Sequence, residues 1–514
     1  MDREPARPLA RIARLGAALS ALTLVLVQGT SLVSTLVLAR LLSPEEVGTY
    51  AAGTVLAGFL TVFAEGGLRA ALIQREAGPS GSVEDAADTV FWATAATGVG
   101  MSLLALAASP VVAAVFRSPQ AGEIAAVTAG MLALHGLTNV PDGLMQRRFN
   151  FRRRLIVDPL RSVVFGVVTI GCAAAGMGVY ALVVGNYASL VSWVLGTWLL
   201  ARWWPGRGRA SYRLWREMAH FAYPLVIQNV VRNVRGSAQT ALIGRGLGEA
   251  ALGQYRYGRR LGELPGTAVV EIGSYVLFPA FSRLAGEPAR FRRAFLRTLR
   301  WVWFGAAPVT MLVVALGEPA AVVLLGERWR LAGEFMVAMA GYGAGVAVQS
   351  VALEVIRGSG RSTLLNRVSA AQLVLGVGLV FAVLPYGLVA VGLAISLSQI
   401  LVAALVVSLA RSVLPFTMRE LAARLVPPAA AALVALALVG PLEWFVGRAA
   451  ERGTVAGLAI LAGETLLFGA VYLGVMRLVD AAAVGELVGG VRRLLRRRSS
   501  GGDNAGGDGA DVAR

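Results

Sequence analysis

The segment ARLLSPEEVGTY, residues 39–50, lies between two long apolar runs, and residues 244–255, GRGLGEAALGQY, repeat its skeleton. Each copy carries an arginine, a glycine eight residues later and a tyrosine two further; these are Arg40, Gly48 and Tyr50, and then Arg245, Gly253 and Tyr255. A motif that returns in the same setting 205 positions later indicates an internal structural repeat.

The composition places the chain in a membrane. Hydrophobic residues make up 56% of the chain, charged residues only 15%, and the mean hydropathy is +0.66. Water-soluble domains normally carry fewer apolar and more charged residues. Apolar runs that match the hydrocarbon thickness recur from Leu15 to Met476, and they predict an all-α polytopic membrane protein with about 14 transmembrane helices. The predicted spans include 47–74 (helix 2), 84–116 (helix 3), 178–203 (helix 6), 214–243 (helix 7), 249–282 (helix 8) and 386–412 (helix 12). We expect a multi-pass protein of the cell (inner or plasma) membrane.

The charge pattern predicts orientation and excludes other classes of function. The net charge is +18, and every basic side chain is an arginine. Because the arginines cluster in short segments after even-numbered helices, the positive-inside rule places both termini in the cytoplasm. This pattern does not favour a nucleic-acid partner. One cysteine and two histidines are too few for a thiolate or histidine-rich metal site, so neither a metal nor a cofactor is expected.

A second echo defines the extent of the repeat. Gly178 and Ala181 begin helix 6, and Gly387 and Ala390 begin helix 12, at an offset of 209. Helices 1–6 and 7–12 are therefore predicted to form two six-helix lobes related by a pseudo-twofold axis along the membrane normal. The predicted order is a basic cytoplasmic N-terminus (1–11), an N-lobe (12–205), a C-lobe (214–413), helices 13 and 14 (420–477), and a basic, then disordered, cytoplasmic tail (478–514).

Helices 7 and 8 of this scheme carry charges at membrane depth. Such charges cost roughly 2.5–3.5 kcal/mol each, so they persist mainly where they face a wet cavity or a partner. Helical spacing puts one polar stripe on helix 7 and another on helix 8. Because guanidinium groups match phosphate oxygens, we predict a pyrophosphate- and sugar-binding cavity lined by Gln228, Arg232, Arg235, Gln239, Arg256 and Arg260.

Two alternatives stay open for these arginines. They could snorkel to an interface, or they could satisfy carboxylates such as Glu263 and Glu271 structurally. Counted from the helix ends, Arg232 and Arg260 lie deepest. Coupling to sodium or protons is a further possibility, with Glu65, Glu263 and Glu271 as the candidate residues.

Several strings resemble one known family. They are LARLLSP (38–44) with Gly48, ALIQR (71–75), GVYAL (178–182), LIGR (242–245) and FPA (278–280). In this order and spacing the chain is similar to the polysaccharide-biosynthesis flippases. These include Wzx-like lipopolysaccharide O-unit flippases and teichuronic acid and exopolysaccharide exporters of the multidrug/oligosaccharidyl-lipid/polysaccharide superfamily. The resemblance covers about residues 12–413.

The resemblance implies a transporter and not an enzyme. Its substrate would be an undecaprenyl-pyrophosphate-linked oligosaccharide, moved from the inner to the outer leaflet by alternating access. Partners would be this lipid-linked oligosaccharide, membrane lipids, and a polysaccharide polymerase or glycosyltransferase. The alternatives are a multidrug/cation antiporter of the same superfamily, which predicts a cavity rich in carboxylates, and a membrane polymerase or glycosyltransferase. The polymer being built and the driving ion stay open.

Overall fold

The structure is a computed structural model that describes residues 7–65, 67–75, 82–147, 151–284, 287–359, 361, 363–481 and 485. The regular elements in these ranges are helical. The α-helices are α1 (Arg7–Leu41), α2 (Pro44–Glu65), α3 (Leu68–Gln74), α4 (Val83–Ala107), α5 (Ser109–Phe116), α6 (Pro119–Thr128), α7 (Met131–Arg147), α8 (Phe151–Ala174), α9 (Val179–Ala201), α10 (Tyr212–Leu284), α11 (Pro288–Leu325), α12 (Arg330–Ala338), α13 (Ala340–Gly358), α14 (Thr363–Val383), α15 (Leu388–Arg411), α16 (Met418–Leu442) and α17 (Thr454–Val479).

Twelve segments of the described chain are helical, long and apolar enough to cross a membrane. The predicted helices 7 and 8 are not among them. They form the two arms of α10, residues 212–247 and 249–284, which are separated by the non-helical backbone of Gly248, at a φ of 87° and a ψ of 173° that favour glycine. The arginines of these arms lower their hydropathy. The twelve segments and the two arms together agree with the predicted all-α membrane fold of about 14 helices.

Some predicted spans are interrupted. The span predicted over 47–74 divides into α2 and α3, and Gly67, at φ 63°, adopts the left-handed backbone conformation before α3. The span predicted over 84–116 divides at Ala108, because Pro110 starts a new helix and cannot continue the hydrogen bonding of the old one.

The chain folds into two compact units. The first comprises Met1–Leu261, Ala321–Met339 and Leu365–Val402, and the second comprises Gly262–Ala320, Ala340–Leu364 and Ala403–Arg514. The lobe boundaries predicted at 12–205, 214–413 and 420–477 stay predictions.

Within the first unit, the two copies of the opening motif contact each other reciprocally. A methyl group on Gly48 would lie 1.7 Å from the backbone oxygen of Glu249, and one on Gly253 would lie 1.8 Å from that of Pro44. Glu249 is the repeat counterpart of Pro44. Only glycine allows backbones to approach this closely. The contact has the self-complementary form of a twofold interface.

The arginines of the two motifs are also placed symmetrically. Arg40 donates to the carbonyl oxygens of Val323 at 2.6 Å and Leu324 at 3.4 Å. Arg245 donates to those of Ala114 at 3.4 Å and Val115 at 3.1 Å. The two acceptor pairs are 209 positions apart, which is the offset of the second sequence echo. These matched contacts confirm the predicted pseudo-twofold repeat.

A buried carboxylate fixes the connection that leads into α10. Asp88, which is 1% exposed, accepts hydrogen bonds from the backbone nitrogens of Gly206 at 3.0 Å and Gly208 at 2.6 Å. Asp85 accepts one from the nitrogen of Arg209 at 2.7 Å. A buried carboxylate needs such donors, so the loop is held where the first arm of α10 begins.

In the second unit, α16 and α17 form a hairpin that packs against α11. The Tyr472 hydroxyl donates to the Phe304 carbonyl oxygen at 2.7 Å, and the Trp303 ring nitrogen donates to that of Leu425 at 2.8 Å. The Arg300–Asp480 ion pair joins the same elements near the end of α17. Because these polar side chains are paired, they tie the hairpin to α11 at little desolvation cost.

Candidate functional site

The arginines predicted to bind substrate lie on the two arms of α10, on either side of the break at Gly248. With a rise of about 1.5 Å per residue, Arg256 lies about 12 Å from the break, Arg260 about 18 Å, Arg235 about 20 Å and Arg232 about 24 Å. Each of these distances is shorter than the roughly 30 Å thickness of a hydrocarbon core. All four residues belong to the first compact unit.

Arg232 and Arg235 follow each other along the first arm in different surroundings. Arg232 is exposed, and its guanidinium group donates to the side-chain oxygen of Asn229 one turn earlier. Arg235 is half-buried, and its side chain passes 3.1 Å from the position that a methyl group on Gly376 of α14 would occupy. Arg232 is therefore the more accessible of the two.

Gln239 is the centre of a small polar network. It is 5% exposed, and its amide nitrogen donates to the Gly376 carbonyl oxygen at 2.8 Å. Its amide oxygen accepts from Arg259 on the second arm at 3.3 Å, and Arg259 also donates to the Tyr255 hydroxyl at 2.5 Å. Both ends of the Gln239 amide are thus bound by protein groups. In this conformation Gln239 positions Arg259 and links the two arms.

Two aromatic contacts hold the second arm. The Arg256 guanidinium group lies over the Tyr50 ring at 5.2 Å from its centroid, within the range of a cation–π interaction. Tyr257 stacks on Trp329 with centroids 4.3 Å apart, and the Trp329 ring nitrogen donates to the Ala39 carbonyl oxygen at 2.8 Å. The repeat tyrosine Tyr50 thus orients one of the candidate arginines.

Arg260 reaches across to α1. Its guanidinium group donates to the Ser31 hydroxyl and, at 3.4 Å, to the Ser31 carbonyl oxygen. Arg260 is nevertheless an exposed residue, so part of the guanidinium group stays available to another acceptor. A neutral serine leaves the positive charge uncompensated.

The remaining predicted residues are placed as follows. The side chains of Glu65, Gln228 and Glu271 lie outside the described part of the structure. Glu263 is half-buried and belongs to the second compact unit. Within the described ranges, no group of three His, Cys, Asp or Glu residues is arranged to hold a metal ion. The predicted roles of these residues in ion coupling and substrate binding stay predictions.

Sequence reasoning missed two residues of this region. The sequence contained a signal for Arg259, because this residue lies between Arg256 and Arg260 and four residues after Tyr255. Ser31 gave no signal, since a serine in an apolar helix is common and its contact with Arg260 spans 229 positions.

The arginines on the two arms of α10 have the chemical character of an anion-binding site. Arg232, Arg235, Arg256, Arg259 and Arg260 bring five guanidinium groups to the two arms. Among the described residues, the partners of Arg232, Arg256 and Arg260 are neutral groups: an amide oxygen, an aromatic ring, and a serine with its carbonyl oxygen. Such partners orient the cations without neutralising them.

The chain is similar to known proteins in sequence and in fold. It is 26% identical over 306 residues to the succinoglycan biosynthesis transport protein ExoT of Rhizobium meliloti (strain 1021), a match that covers 59% of this chain and 60% of ExoT. The chain thus spans about three fifths of the length of the curated relatives it matches. These relatives include proteins named for several different polymers.

Two solved structures share the fold. The inward closed conformation of the lipid II flippase MurJ aligns with a TM-score of 0.71 at 14% identity, over 91% of this chain and 99% of MurJ. An inward-facing multidrug resistance MATE family transporter of the MOP superfamily aligns with a TM-score of 0.61 at 15% identity, over 77% and 94% of the two chains. At this identity the likeness shows the fold alone.

A family model described as polysaccharide biosynthesis protein matches residues 37–333, which contain both copies of the opening motif and the arginines of α10 up to Arg260. This range is more than half of the chain. The protein therefore belongs to the polysaccharide biosynthesis protein family.

Proposed function

We propose that this protein is a flippase for a lipid-linked oligosaccharide. In this proposal it moves an undecaprenyl-pyrophosphate-linked repeat unit of a cell-surface polysaccharide from the inner to the outer leaflet, with both termini in the cytoplasm. The family membership supports a role in polysaccharide biosynthesis. The fold shared with a lipid II flippase supports the transport of a bulky lipid-linked headgroup.

The observation that carries the proposal is the set of guanidinium groups on the arms of α10. A diphosphate cannot enter an apolar membrane interior unless its charge is compensated. Arg232 and Arg260 are exposed and lie about 18–24 Å from the break at Gly248. In the contacts described above, the partners of both guanidinium groups are neutral groups and not carboxylates. They are the groups we expect to contact the diphosphate, with Arg235, Arg256 and Arg259 around them.

Transport of this kind requires movement and no covalent step. The pseudo-twofold repeat supports alternating access, in which two like-oriented lobes rock against each other around a binding site near the midplane. We expect the reciprocal contact of Gly48 and Gly253 to be closed while the site is open to the cytoplasm. The polyprenyl tail would stay in the lipid while the charged headgroup follows the arginines.

The same observation bears on the rival functions. The fold is also shared with a multidrug transporter, so the fold does not separate the two activities. A cationic drug would be repelled by Arg232, Arg256 and Arg260, whereas a diphosphate would be attracted. A polymerase or glycosyltransferase would need catalytic groups beside the transferred sugar, a role that these arginine side chains cannot fill as proton carriers.

Reconstitution tests the proposal. Purified protein in proteoliposomes should move a fluorescent polyprenyl-pyrophosphate oligosaccharide between leaflets, as measured by its accessibility to an added quencher. The same vesicles should not accumulate a lipophilic cationic dye under a sodium or proton gradient. Dye transport without movement of the lipid-linked sugar would support the antiporter, and formation of longer glycans would support a polymerase. Either result would overturn the proposal.

A further inference from the structure

A pair of glutamates lies in the α16–α17 hairpin, outside the repeat and outside the predicted site. Glu443 follows α16 in a single π-helical turn, Glu443–Gly447, and Glu464 lies in the middle of α17. Glu443 is 7% exposed and Glu464 is 5% exposed. Isolated π-helical turns are frequent at functional sites.

The two carboxyl groups converge on one glycine of the turn. Gly447 lies between them, because a methyl group there would be 2.2 Å from Glu443 Oε2 and 2.5 Å from Glu464 Oε1. Two buried carboxylate oxygens that face the same point repel each other unless one of the two groups carries a proton. The absence of a side chain at Gly447 leaves the room in which the oxygens meet.

Among the described residues, the contacts of the pair include one backbone donor and no cation. The backbone nitrogen of Ala449 donates to Glu443 Oε1 at 2.8 Å, whereas Oε2 of both glutamates is buried without a hydrogen-bond partner among the described residues. Glu464, which lacks such a donor, is the better holder of the proton.

The charged groups of the neighbouring elements have other partners. Arg448 pairs with Glu451 at 2.6 Å, and Arg452 donates to the Val446 carbonyl oxygen at 2.9 Å. Two buried like charges in contact cannot both persist, so the pair must retain a proton or separate.

We propose that Glu443 and Glu464 form a binding site for one exchangeable proton in the turn between α16 and α17. A proton fits this niche better than sodium or another hard cation, which needs several oxygen ligands. The third wall of the niche is a methyl group of Ile460, 3.3 Å from the position that a methyl group on Gly447 would occupy. Release of the proton leaves two adjacent negative charges, and the turn must loosen to hydrate them. This site is independent of the proposed transport function.

Infrared spectroscopy of the full-length protein in lipid nanodiscs tests the site. At neutral pH the wild type should show the carbonyl stretch of a protonated carboxyl group, with the shift in D₂O expected of an exchangeable proton. Glu464→Gln should remove this band. Glu443→Gln should change its position or its pH midpoint, and it serves as the second variant should Glu464→Gln fail to fold. Glu451→Gln, in the same turn but exposed and ion-paired, should leave the band unchanged.

A second comparison uses glycines. Gly447→Ala should displace both carboxyl groups and shift the pH at which the band disappears, whereas Gly463→Ala, with nothing within 4 Å of the added methyl group, should not. The proposal is overturned if the wild type lacks the band from mildly acidic to alkaline pH. It is also overturned if sodium chloride, but not choline chloride, removes the band at fixed pH, because the site would then bind sodium.

Discussion

The reciprocal glycine contact predicts that two distant substitutions have the same effect. Gly48→Ala places a methyl group 1.7 Å from the Glu249 backbone oxygen, and Gly253→Ala places one 1.8 Å from that of Pro44. Because carbon and oxygen rarely approach closer than about 3.2 Å in a packed interior, either change must separate the two motifs by about 1.5 Å.

The expected shift in the equilibrium between the closed and open arrangements follows from the free-energy cost of overpacking. Forcing an extra methyl group into a packed contact costs about 1–3 kcal/mol. If only the closed arrangement bears this cost, the equilibrium between closed and open arrangements shifts by about 5- to 150-fold. In the closed arrangement the Thr49 hydroxyl donates to the Glu249 carboxylate at 2.7 Å. We expect this hydrogen bond to be lost when the motifs separate.

Spin-label distances measure this shift. Glu45 and Ala250 are exposed repeat counterparts at the offset of 205, so cysteines at these positions in a Cys172→Ser background report the separation of the motifs. We expect one short distance in the wild type and an added longer distance in both glycine variants, of similar population in each.

Matched controls separate the steric effect from the helix propensity of alanine. Gly58→Ala in α2 and Gly236→Ala in the first arm of α10 add methyl groups with nothing within 4 Å. They should retain the wild-type distance. Identical distributions in all four variants would refute the reasoning, because the motifs would then not touch as described.

Three further predictions follow from the packing of the first unit. Gln239→Leu should release Arg259 and lower the transport rate of a lipid-linked diphosphate, measured in proteoliposomes, while Gln239→Glu should retain the contact and much of the rate. Asp142→Ala should leave Arg69, its partner at 3.0 Å, without a carboxylate and lower the free energy of unfolding by about 1–3 kcal/mol, measured by denaturant titration in detergent. Trp329→Ala should remove a fully buried indole and cost about 3–5 kcal/mol by the same measurement, and a loss below about 1 kcal/mol would contradict its place in the core.

The sequence predicted the elements of this fold better than their contacts. Hydrophobic run lengths and the repeated arginine, glycine and tyrosine identified the helices and the pseudo-twofold relationship, because both depend on local spacing. The break at Gly67 was not predicted, since its left-handed backbone depends on tertiary packing.

In the candidate site, too, the sequence predicted where the residues lie along the helices but not which residues they contact. The spacing of the arginines placed them on the arms of α10. The contacts of Arg260 with Ser31 and of Arg256 with Tyr50 join helices that are far apart in the chain, and no periodicity encodes such pairs. The glutamates of the α16–α17 hairpin lie outside the repeat, so the symmetry that guided the sequence analysis did not point to them.

The central claim is that guanidinium groups on α10 contact a diphosphate headgroup during transport. The most direct measurement is the outward movement of a fluorescent polyprenyl-pyrophosphate oligosaccharide in proteoliposomes that contain Arg232→Ala and Arg260→Ala, singly and together. We expect each change to reduce the rate at least tenfold and the double variant to abolish it, while Arg216→Ala, an exposed arginine near the start of the same helix, retains it. Unaltered transport in the double variant would contradict the claim.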